Sequence, residues 1–564
     1  MKFPFDSPFV RTVSHPRIWD ILIYAAALFL FVLPVLRLFL MSFSDDTGWT
    51  LSHYVSLLHD ERAALAFRNT LLSAVSAAAV STVGGVWFAF LIAYTNVRFK
   101  KVMEMLVLLP FLIPAYVITL SWTELCIPAG SLNMLLKAVG LPEIDLYSMG
   151  GIIAMLGICH IPLVYINVIH MLRKIPPETE WAARASGYTV WQTMRKINLA
   201  QVMPAVMGGT VLAFLADIDN FAIPAFLGIS SGIPVLSTYI YEKVISMDPN
   251  AFYYSAALSV VLSILALSGT AAETFFSRRR SFSESMKEDY SIRIPLSSSV
   301  KTLTEWTCLT GLICFSIIPL AYMALSACLD SYTFTFSFDH MSGENYLFIL
   351  TNDGIRQAAE NSLWLAAVST AVCLVAGTAV AYRKVRGHAT ASVLIEKCAS
   401  MTYAIPGIVL ALALIFHWVH PLPGIQTPLY GTYTILVLGY VTRYLILQIK
   451  GSSLALLSVD PSMEEAARIS GSSSVRLWIR VMLPLLAAPV LSSAFFIFIS
   501  SLTELTLSSI MSSYSTKTIG LAIFNLQQSG DYGLAAAFSS VILLFIAAGY
   551  AGWLVCHAAE RIKS

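Results

Sequence analysis

The chain has 564 residues, of which 57% are hydrophobic and only 12% are charged, and its formal net charge is +2. A soluble globular chain carries about twice that share of charged residues, so the composition excludes an ordinary soluble domain, and the small net charge does not indicate a nucleic-acid partner. Runs of about 20 Leu, Ala, Val, Ile and Phe residues are long enough to cross a bilayer as helices, whereas open strands would leave backbone groups unpaired in lipid. The sequence therefore predicts an all-α polytopic membrane protein.

Twelve apolar segments follow one another along the chain, and we predict that each crosses the membrane. They are residues 20–41, 71–95, 102–122, 149–171, 203–226, 252–273, 302–324, 362–382, 393–416, 430–449, 485–508 and 535–556. Lys and Arg cluster in alternate connections, and the other connections hold carboxylates instead. Because basic loops stay in the cytoplasm, both termini are predicted to be cytoplasmic.

A polar stretch, residues 276–301, separates the sixth predicted span from the seventh. Its sequence, FSRRRSFSESMKEDYSIRIPLSSSVK, is rich in serine and charged residues. This composition is typical of a flexible linker, and a regulatory site is the alternative interpretation. We therefore predict a first repeat over residues 1–275, a cytoplasmic linker over residues 276–301 and a second repeat over residues 302–564.

Two octets relate the halves to each other. EWAARASG at residues 180–187 and EEAARISG at residues 464–471 agree at six of eight positions, with an offset of 284 residues. Upstream, with small gaps, Ile-Pro-Ala at residues 113–115 matches Ile-Pro-Gly at residues 405–407. Six spans is an even number, so the two repeats insert in the same orientation, about an axis along the membrane normal. Both octets are then expected side by side on the cytoplasmic face.

Each octet carries the local signals of a short helix that ends in a tight turn. Pro177 and Pro461 suit the first turn of a helix, and the glutamates beside them favour its positive end. Gly187 and Gly471 suit the left-handed position that ends a helix. Paired alanines between these signals leave a thin surface that another protein can approach closely. A second short helix is predicted at residues 189–197 and 473–481.

The second octet belongs to a longer motif that resembles the EAA loop of binding-protein-dependent ABC importer permeases. Glu465 is followed by two alanines, Gly471 lies four residues after the second alanine, and Leu483-Pro484 completes the pattern. The first copy departs from the pattern, because Trp181 stands in the position of the glutamate and Ala200 in that of the proline. We expect Glu180 to take the charge role one residue earlier.

The resemblance covers nearly the whole chain and implies a fold, partners and coupling residues. The fold is that of type I ABC importer (MetI-like) permeases, with two parallel six-helix repeats and about 12 transmembrane helices. In this family the EAA loop is the coupling helix that docks on the ATPase subunit. The loops are residues 178–200 and 462–484, and the implied coupling residues are Glu180, Ala182, Ala183, Gly187, Glu464, Glu465, Ala466, Ala467 and Gly471. The implied partners are two copies of a cytoplasmic ABC ATPase, a periplasmic solute-binding protein and the lipid of the bacterial inner membrane.

The sequence motifs of a phosphate-binding loop and of a zinc protease are absent from the chain. It has no GxxxxGK[ST] loop to cradle ATP phosphates and no HExxH. We therefore predict no catalytic residues, no metal site and no cofactor in this chain, and we assign ATP and magnesium to the partner ATPase.

Acidic residues within the spans form the predicted translocation path. The segment LADIDNFAIPAFLG at residues 215–228 places Asp217, Asp219 and Asn220 late in the fifth span, and the offset aligns Asn220 with Glu504. Ionisable groups in a membrane are costly, so they indicate function by default. The resemblance implies that this region lines the path, where carboxylates would suit a cationic solute. The alternative is that these groups lie near the outer interface and hydrogen-bond neighbouring helices.

Three other features of the spans carry predictions. The proline segments at residues 109–117 and 403–411 occupy matching places and predict helix bends, either beside the path or as packing kinks. His160 is predicted to be a buried, hydrogen-bonded histidine, with ligand binding as the alternative. Arg443 is placed near the cytoplasmic end of the tenth span, where its long side chain can reach the interface.

Taken together, these features predict the permease subunit of an ATP-driven ABC importer. Ferric iron is the first candidate for the solute, because the fused architecture resembles that of ferric-iron permeases, and thiamine, a phosphonate or a polyamine are alternatives. The competing classes are an ion-coupled secondary transporter with parallel repeats and a polytopic membrane enzyme. Co-purification with an ATPase subunit separates all three.

Overall fold

The structure is a computed structural model in which helices account for most of the chain. It describes residues 18–128, 130–246, 248, 250–278, 288–329, 341–387, 389–419 and 428–563. Part of the predicted linker, residues 279–287, lies outside the described residues. A short antiparallel hairpin pairs β1 (Ser44–Asp45) with β2 (Gly48–Trp49) in the connection after the first span.

The helices follow the same order in the two halves. In the first half they are α1 (Ile18–Ala27), α2 (Leu33–Met41), α3 (Ser52–His59), α4 (Glu61–Tyr94), α5 (Lys100–Leu112), α6 (Ala115–Cys126), α7 (Ser131–Ala138), α8 (Met149–Lys174), α9 (Pro177–Ala185), α10 (Val190–Thr193), α11 (Leu199–Asp219), α12 (Ala222–Ser231), α13 (Leu236–Ile245) and α14 (Ala251–Arg278). In the second half they are α15 (Ser298–Ser316), α16 (Ile318–Ser326), α17 (Glu344–Thr351), α18 (Asp353–Val385), α19 (Thr390–Ala404), α20 (Gly407–Trp418), α21 (Tyr433–Leu457), α22 (Pro461–Ile469), α23 (Ser474–Leu477), α24 (Leu483–Leu502), α25 (Ser508–Met511), α26 (Ile519–Gln528) and α27 (Tyr532–Lys563).

Nine helices in the described part of the chain are long and apolar enough to cross a membrane, and twelve spans result if three sharply bent helix pairs each count as one. The larger count agrees with the predicted number, but the members differ. The pair α12 and α13, bent by 70°, is one of the twelve possible spans, although the sequence does not predict a span there. The helix α21 covers the predicted span 430–449 and is not among those counted.

The two proline segments produce the bends that the sequence predicts. The pair α5 and α6 bends by 104° at residues 113–114, and the pair α19 and α20 bends by 115° at residues 405–406. Ile113 and Ile405 have extended backbone conformations because a residue before proline is kept out of the helical region. All twelve residues of α20 are buried, so the bend directs this helix into the interior of the bundle.

The first helices of each half pack against the other half. In α2, Arg37 donates a hydrogen bond of 3.2 Å to the backbone carbonyl of His417 in α20. In α16, Tyr322 accepts a hydrogen bond of 3.1 Å from Ser131 in α7. Because of this exchange, the largest hydrophobic cluster draws residues from both halves. Two smaller clusters lie beneath the predicted coupling loops, and the one beneath the first loop also includes Leu312 of α15.

Part of the predicted linker is held against the first half. The backbone N–H groups of Arg293 and Ile294 both donate to the carbonyl of Tyr94, at 3.0 and 2.9 Å. Leu296 N–H donates to the side-chain oxygen of Asn96 at 3.0 Å. Residues 288–297 therefore run across the end of α4 before α15 begins, and they do not form a free tether.

Candidate functional site

Both octets form a short helix that ends at a left-handed glycine, as the sequence predicts. The helices are α9 and α22, and Gly187 and Gly471 follow them with φ values of +89° and +79°. Beyond the turn, Thr189 and Ser473 each accept a hydrogen bond from a backbone N–H and so cap the next helix. Because these caps fix where the chain resumes a helix, the two loops share one conformation.

The prediction of a separate second short helix is wrong in both loops. Helix α10 runs through a wider turn at residues 194–198 directly into α11, and α23 does the same at residues 478–482. The residues at these junctions keep helical backbone angles, so nothing interrupts the helix. The fifth and eleventh spans therefore begin within the predicted coupling loops, before the predicted starts at residues 203 and 485.

The predicted coupling residues divide into an exposed set and a buried set. The exposed ones are Ala182, Gly187, Glu465, Ala466 and Gly471. Glu180 and Glu464, with 7% and 5% of their surface exposed, point into the helix bundle, and Ala183 is also buried. Ala467 is half-buried. The outer surfaces of the loops thus carry the small residues, and the two aligned glutamates anchor the loops from within.

Each anchoring glutamate accepts hydrogen bonds from its own half's helices and from one arginine. Glu464 accepts from Tyr382 at 2.9 Å and from Arg386 Nε at 2.6 Å. Glu180 accepts from Asn198 at 2.6 Å and is also paired with Arg293. Charge-assisted bonds of this kind are about twice as strong as neutral ones, so they hold α9 and α22 firmly against the bundle.

A cavity of about 290 Å³ lies between the two halves. Its lining includes Tyr116, His160, Asp219, Asn220, Tyr444 and Glu504. His160 stands near the middle of α8 and Tyr444 near the middle of α21, so the cavity lies at mid-height of the helix bundle. Three of the four predicted path residues therefore meet at one cavity. Asp219 ends α11 and Glu504 follows the end of α24, and both lie beside the middles of α8 and α21.

Asp219 connects the two halves at this cavity. Its Oδ2 atom lies 2.5 Å from a guanidinium nitrogen of Arg443, and its Oδ1 atom accepts a hydrogen bond of 2.7 Å from the backbone N–H of Gly407. The prediction for Arg443 is wrong: the side chain lies in the middle of α21, is 8% exposed and points to Asp219 instead of the interface. A buried guanidinium needs a carboxylate partner, and Asp219 supplies it from the other half.

Asp217 lies behind the cavity. It is buried, and its Oδ1 atom lies 2.6 Å from Nδ1 of His160, which confirms the prediction of a hydrogen-bonded histidine. Asp217 therefore contacts the cavity-lining His160, and it does not line the cavity itself.

The repeat is visible within the cavity as matched positions with different chemistry. Asn220 accepts a hydrogen bond from the N–H of Ile223 at 3.0 Å, and Glu504 accepts one from the N–H of Leu507 at 2.8 Å. The 284-residue offset also places Tyr444 opposite His160, and Tyr444 donates a hydrogen bond to Glu504. The two halves thus share a backbone design and differ in charge.

In the described part of the chain, no three His, Cys, Asp or Glu residues are grouped so as to hold a metal ion.

A family model described as "Binding-protein-dependent transport system inner membrane component" matches the chain twice, at residues 81–282 and 356–561. The chain belongs to this family. It is a fused permease, because each half carries one match, and each match contains one of the two predicted coupling loops. The chain is therefore a multi-span permease subunit of an ABC importer, and the predicted fold class is confirmed.

The permease is similar over nearly its full length to two ferric transport proteins. It is 23% identical to the "Ferric transport system permease protein FbpB" of Actinobacillus pleuropneumoniae, over 92% of this chain and 75% of that protein. It is 22% identical to the "Fe(3+)-transport system permease protein FbpB 2" of Haemophilus influenzae, over 91% of this chain and 94% of that protein. A solved bacterial alginate ABC transporter aligns with 46% of this chain and 93% of its own chain, at 21% identity and a TM-score of 0.40.

Sequence reasoning missed the partners of the permease's key carboxylates. Arg293, Arg386 and Asn198 were not singled out, although Arg386 lies four residues after Tyr382 on the same helix end. The offset that pairs Asn220 with Glu504 also pairs His160 with Tyr444, so that alignment could have found both sides of the cavity. Nothing in the sequence indicates that Arg293 returns to Glu180.

Proposed function

We propose that this permease passes ferric iron from a periplasmic binding protein into the cytoplasm. The observation that carries the proposal is the pair of carboxylates, Asp219 and Glu504, on a cavity that both halves share. Carboxylate oxygens are ligands that small, highly charged cations prefer, and the phenol groups of Tyr116 and Tyr444 add further oxygen atoms. The names of the two full-length relatives support the same cargo.

The energy for uptake is proposed to come from two copies of a cytoplasmic ATPase subunit that bind ATP and magnesium. Each copy docks on one coupling loop, whose outer surface carries exposed apolar side chains beside the alanines. Trp181 is 63% exposed on α9 and Ile469 is 87% exposed on α22. Exposed apolar patches of this kind mark protein interaction sites. With this docking both loops lie on the cytoplasmic side of a bacterial inner membrane, and we propose the same side for both chain termini because the predicted number of spans is even.

Transport then follows from the relative movement of the two halves. Closure of the ATPase pair around ATP draws α9 and α22 together, and each half follows as a nearly rigid body because Glu180 and Glu464 anchor the loops. The cavity opens toward the loaded binding protein, and hydrolysis resets it. The contact between Asp219 and Arg443 crosses the interface that moves, so its geometry differs between the two states.

The alternative solutes differ in charge, which allows a direct test. Thiamine and polyamines are cations that would also suit Asp219 and Glu504, whereas a phosphonate would be repelled by them. The permease would be reconstituted in vesicles with its cognate ATPase and binding protein, and ATP-dependent uptake of radioactive ferric iron would be measured. Excess unlabelled gallium(III) should compete, and excess thiamine, spermidine or aminoethylphosphonate should not. Uptake of one of these organic solutes in place of iron would overturn the assignment of the cargo.

A further inference from the structure

The second coupling loop is held by an arginine from its own half. Arg386 follows Tyr382 by four residues at the end of α18, and its Nε atom donates to Glu464 at 2.6 Å. The same guanidinium donates to the carbonyl of Val459, just before α22, at 2.6 Å. One side chain therefore fixes both the glutamate of the loop helix and the chain that enters it.

The first half has an arginine at the equivalent position, but that arginine does not pair with the glutamate of the first loop. Arg98 follows Tyr94 by four residues, as Arg386 follows Tyr382, and its side chain is exposed. The guanidinium that pairs with Glu180 belongs to Arg293, which lies in the connection between the two halves. Arg293 also donates to the carbonyl of Ile175 at 2.7 Å, and the 284-residue offset aligns Ile175 with Val459. Arg293 thus makes the same two contacts as Arg386, although it comes from a different part of the chain.

Several contacts hold Arg293 in this position. Its backbone N–H donates to the carbonyl of Tyr94 at 3.0 Å, and its guanidinium lies 5.0 Å from the centre of the Tyr94 ring. Asp289 pairs with the same guanidinium at 2.9 Å, and the N–H of Asp289 donates to the carbonyl of Arg173 at 2.7 Å. Arg293 is 8% exposed, so its charge is withdrawn from water and depends on Glu180 and Asp289 for compensation.

We infer that Arg293 is a positioning residue for the first coupling helix. The connection between the halves therefore helps to hold the coupling loop of the first half, but not that of the second half. The inference rests on the proposed role of α9 and α22 in docking the ATPase. In the second half the loop is seated by its own helices. In the first half the arginine that holds the loop comes from the segment that leads directly into α15, the first helix of the other half.

The test compares matched variants in the two halves. Arg293→Ala and Arg386→Ala should each lower ATP-driven uptake by at least about tenfold, because each removes charged hydrogen bonds to a buried glutamate. ATP hydrolysis by the assembled complex should continue in both, which gives a lower ratio of solute moved to ATP consumed. Arg98→Ala should leave uptake unchanged, and Arg293→Lys should restore part of it, since lysine retains the charge but not the paired geometry.

Two further readouts separate positioning from folding and from the proposed function. If Arg293→Ala yields little protein, Glu180→Gln is tested in its place. The double variant Arg293→Lys with Glu180→Gln should lose less ATP-driven uptake, expressed as free energy, than the sum of the losses in the two single variants. Normal uptake by Arg293→Ala together with loss in Arg386→Ala would overturn this inference alone. Normal uptake by both alanine variants would instead contradict the coupling role of both loops.

Discussion

Asp219 at the end of α11 and Arg443 in the middle of α21 form an ion pair of 2.5 Å that joins the two halves of the permease. The residues are 224 positions apart in sequence, and Asp219 also accepts the N–H of Gly407 at the start of α20. The pair therefore binds one half to both the bent helix and the long helix of the other. It is a direct polar connection across the central cavity, where the proposed mechanism moves the halves apart.

Removing Arg443 should destabilise the permease. Arg443→Met leaves Asp219 facing the cavity without its partner, and breaking a fully buried pair costs about 3–5 kcal/mol. The side chain of Asp219 is 36% exposed, so we expect a smaller loss, of about 2 kcal/mol, because solvent compensates part of the charge. Thermal unfolding in detergent would measure the loss. The double variant with Asp219→Asn should recover part of it, and an unchanged unfolding temperature in Arg443→Met would contradict the pairing.

Replacing Glu504 should impair transport more than folding. Glu504→Gln keeps the shape that accepts the Leu507 N–H and removes the negative charge from the cavity. Loss of one carboxylate facing a cation should lower the ATP-driven uptake rate by about tenfold. Tyr444→Phe removes the donor to Glu504 and one phenol oxygen but leaves the negative charge in place, so it should lower uptake less than Glu504→Gln does. Equal uptake by wild type and Glu504→Gln would show that this carboxylate serves only the packing of α24.

The coupling-loop glycines should tolerate asparagine better than larger or branched residues. A Cβ atom at Gly187 or Gly471 would meet nothing within 4 Å, so any penalty comes from the left-handed backbone, at about 1–2 kcal/mol for an ordinary residue. Gly471→Val should therefore reduce coupled transport, and Gly471→Asn should reduce it less. Gly311→Ala is the control, because that position is also open but has no left-handed backbone. Identical losses in the valine and asparagine variants would exclude backbone strain as the cause.

The sequence predicts the bends and helix ends of this permease well because each of them depends on a few neighbouring residues. Proline places the bends at residues 113–114 and 405–406, and glycine ends α9 and α22 where the octets predict. The internal offset also aligns Asn220 with Glu504, and both residues line one cavity. Equivalent positions of two repeats meet in this way only where they lie close to the axis that relates the repeats.

Contacts between distant parts of the chain could not be predicted in this way. Arg443 looks like an interfacial residue from its place in an apolar run, and its partner Asp219 comes from the other half. Arg293 looks like one more charge in a polar connection, and the glutamate that it holds is 113 residues away. A repeat identifies which positions are equivalent, but it does not say which residue from elsewhere in the chain meets each of them.

Crosslinking from the coupling loops tests the central claim most directly. A photo-crosslinking residue would replace Ala182 on α9 or Ala466 on α22, both of which are exposed. Trp49, which is 76% exposed in the hairpin after the first span, provides the control position. The account predicts that both loop positions capture the ATPase subunit in whole cells and that the control does not. Capture of the ATPase from neither loop, or labelling of both loops from the periplasm, would contradict it.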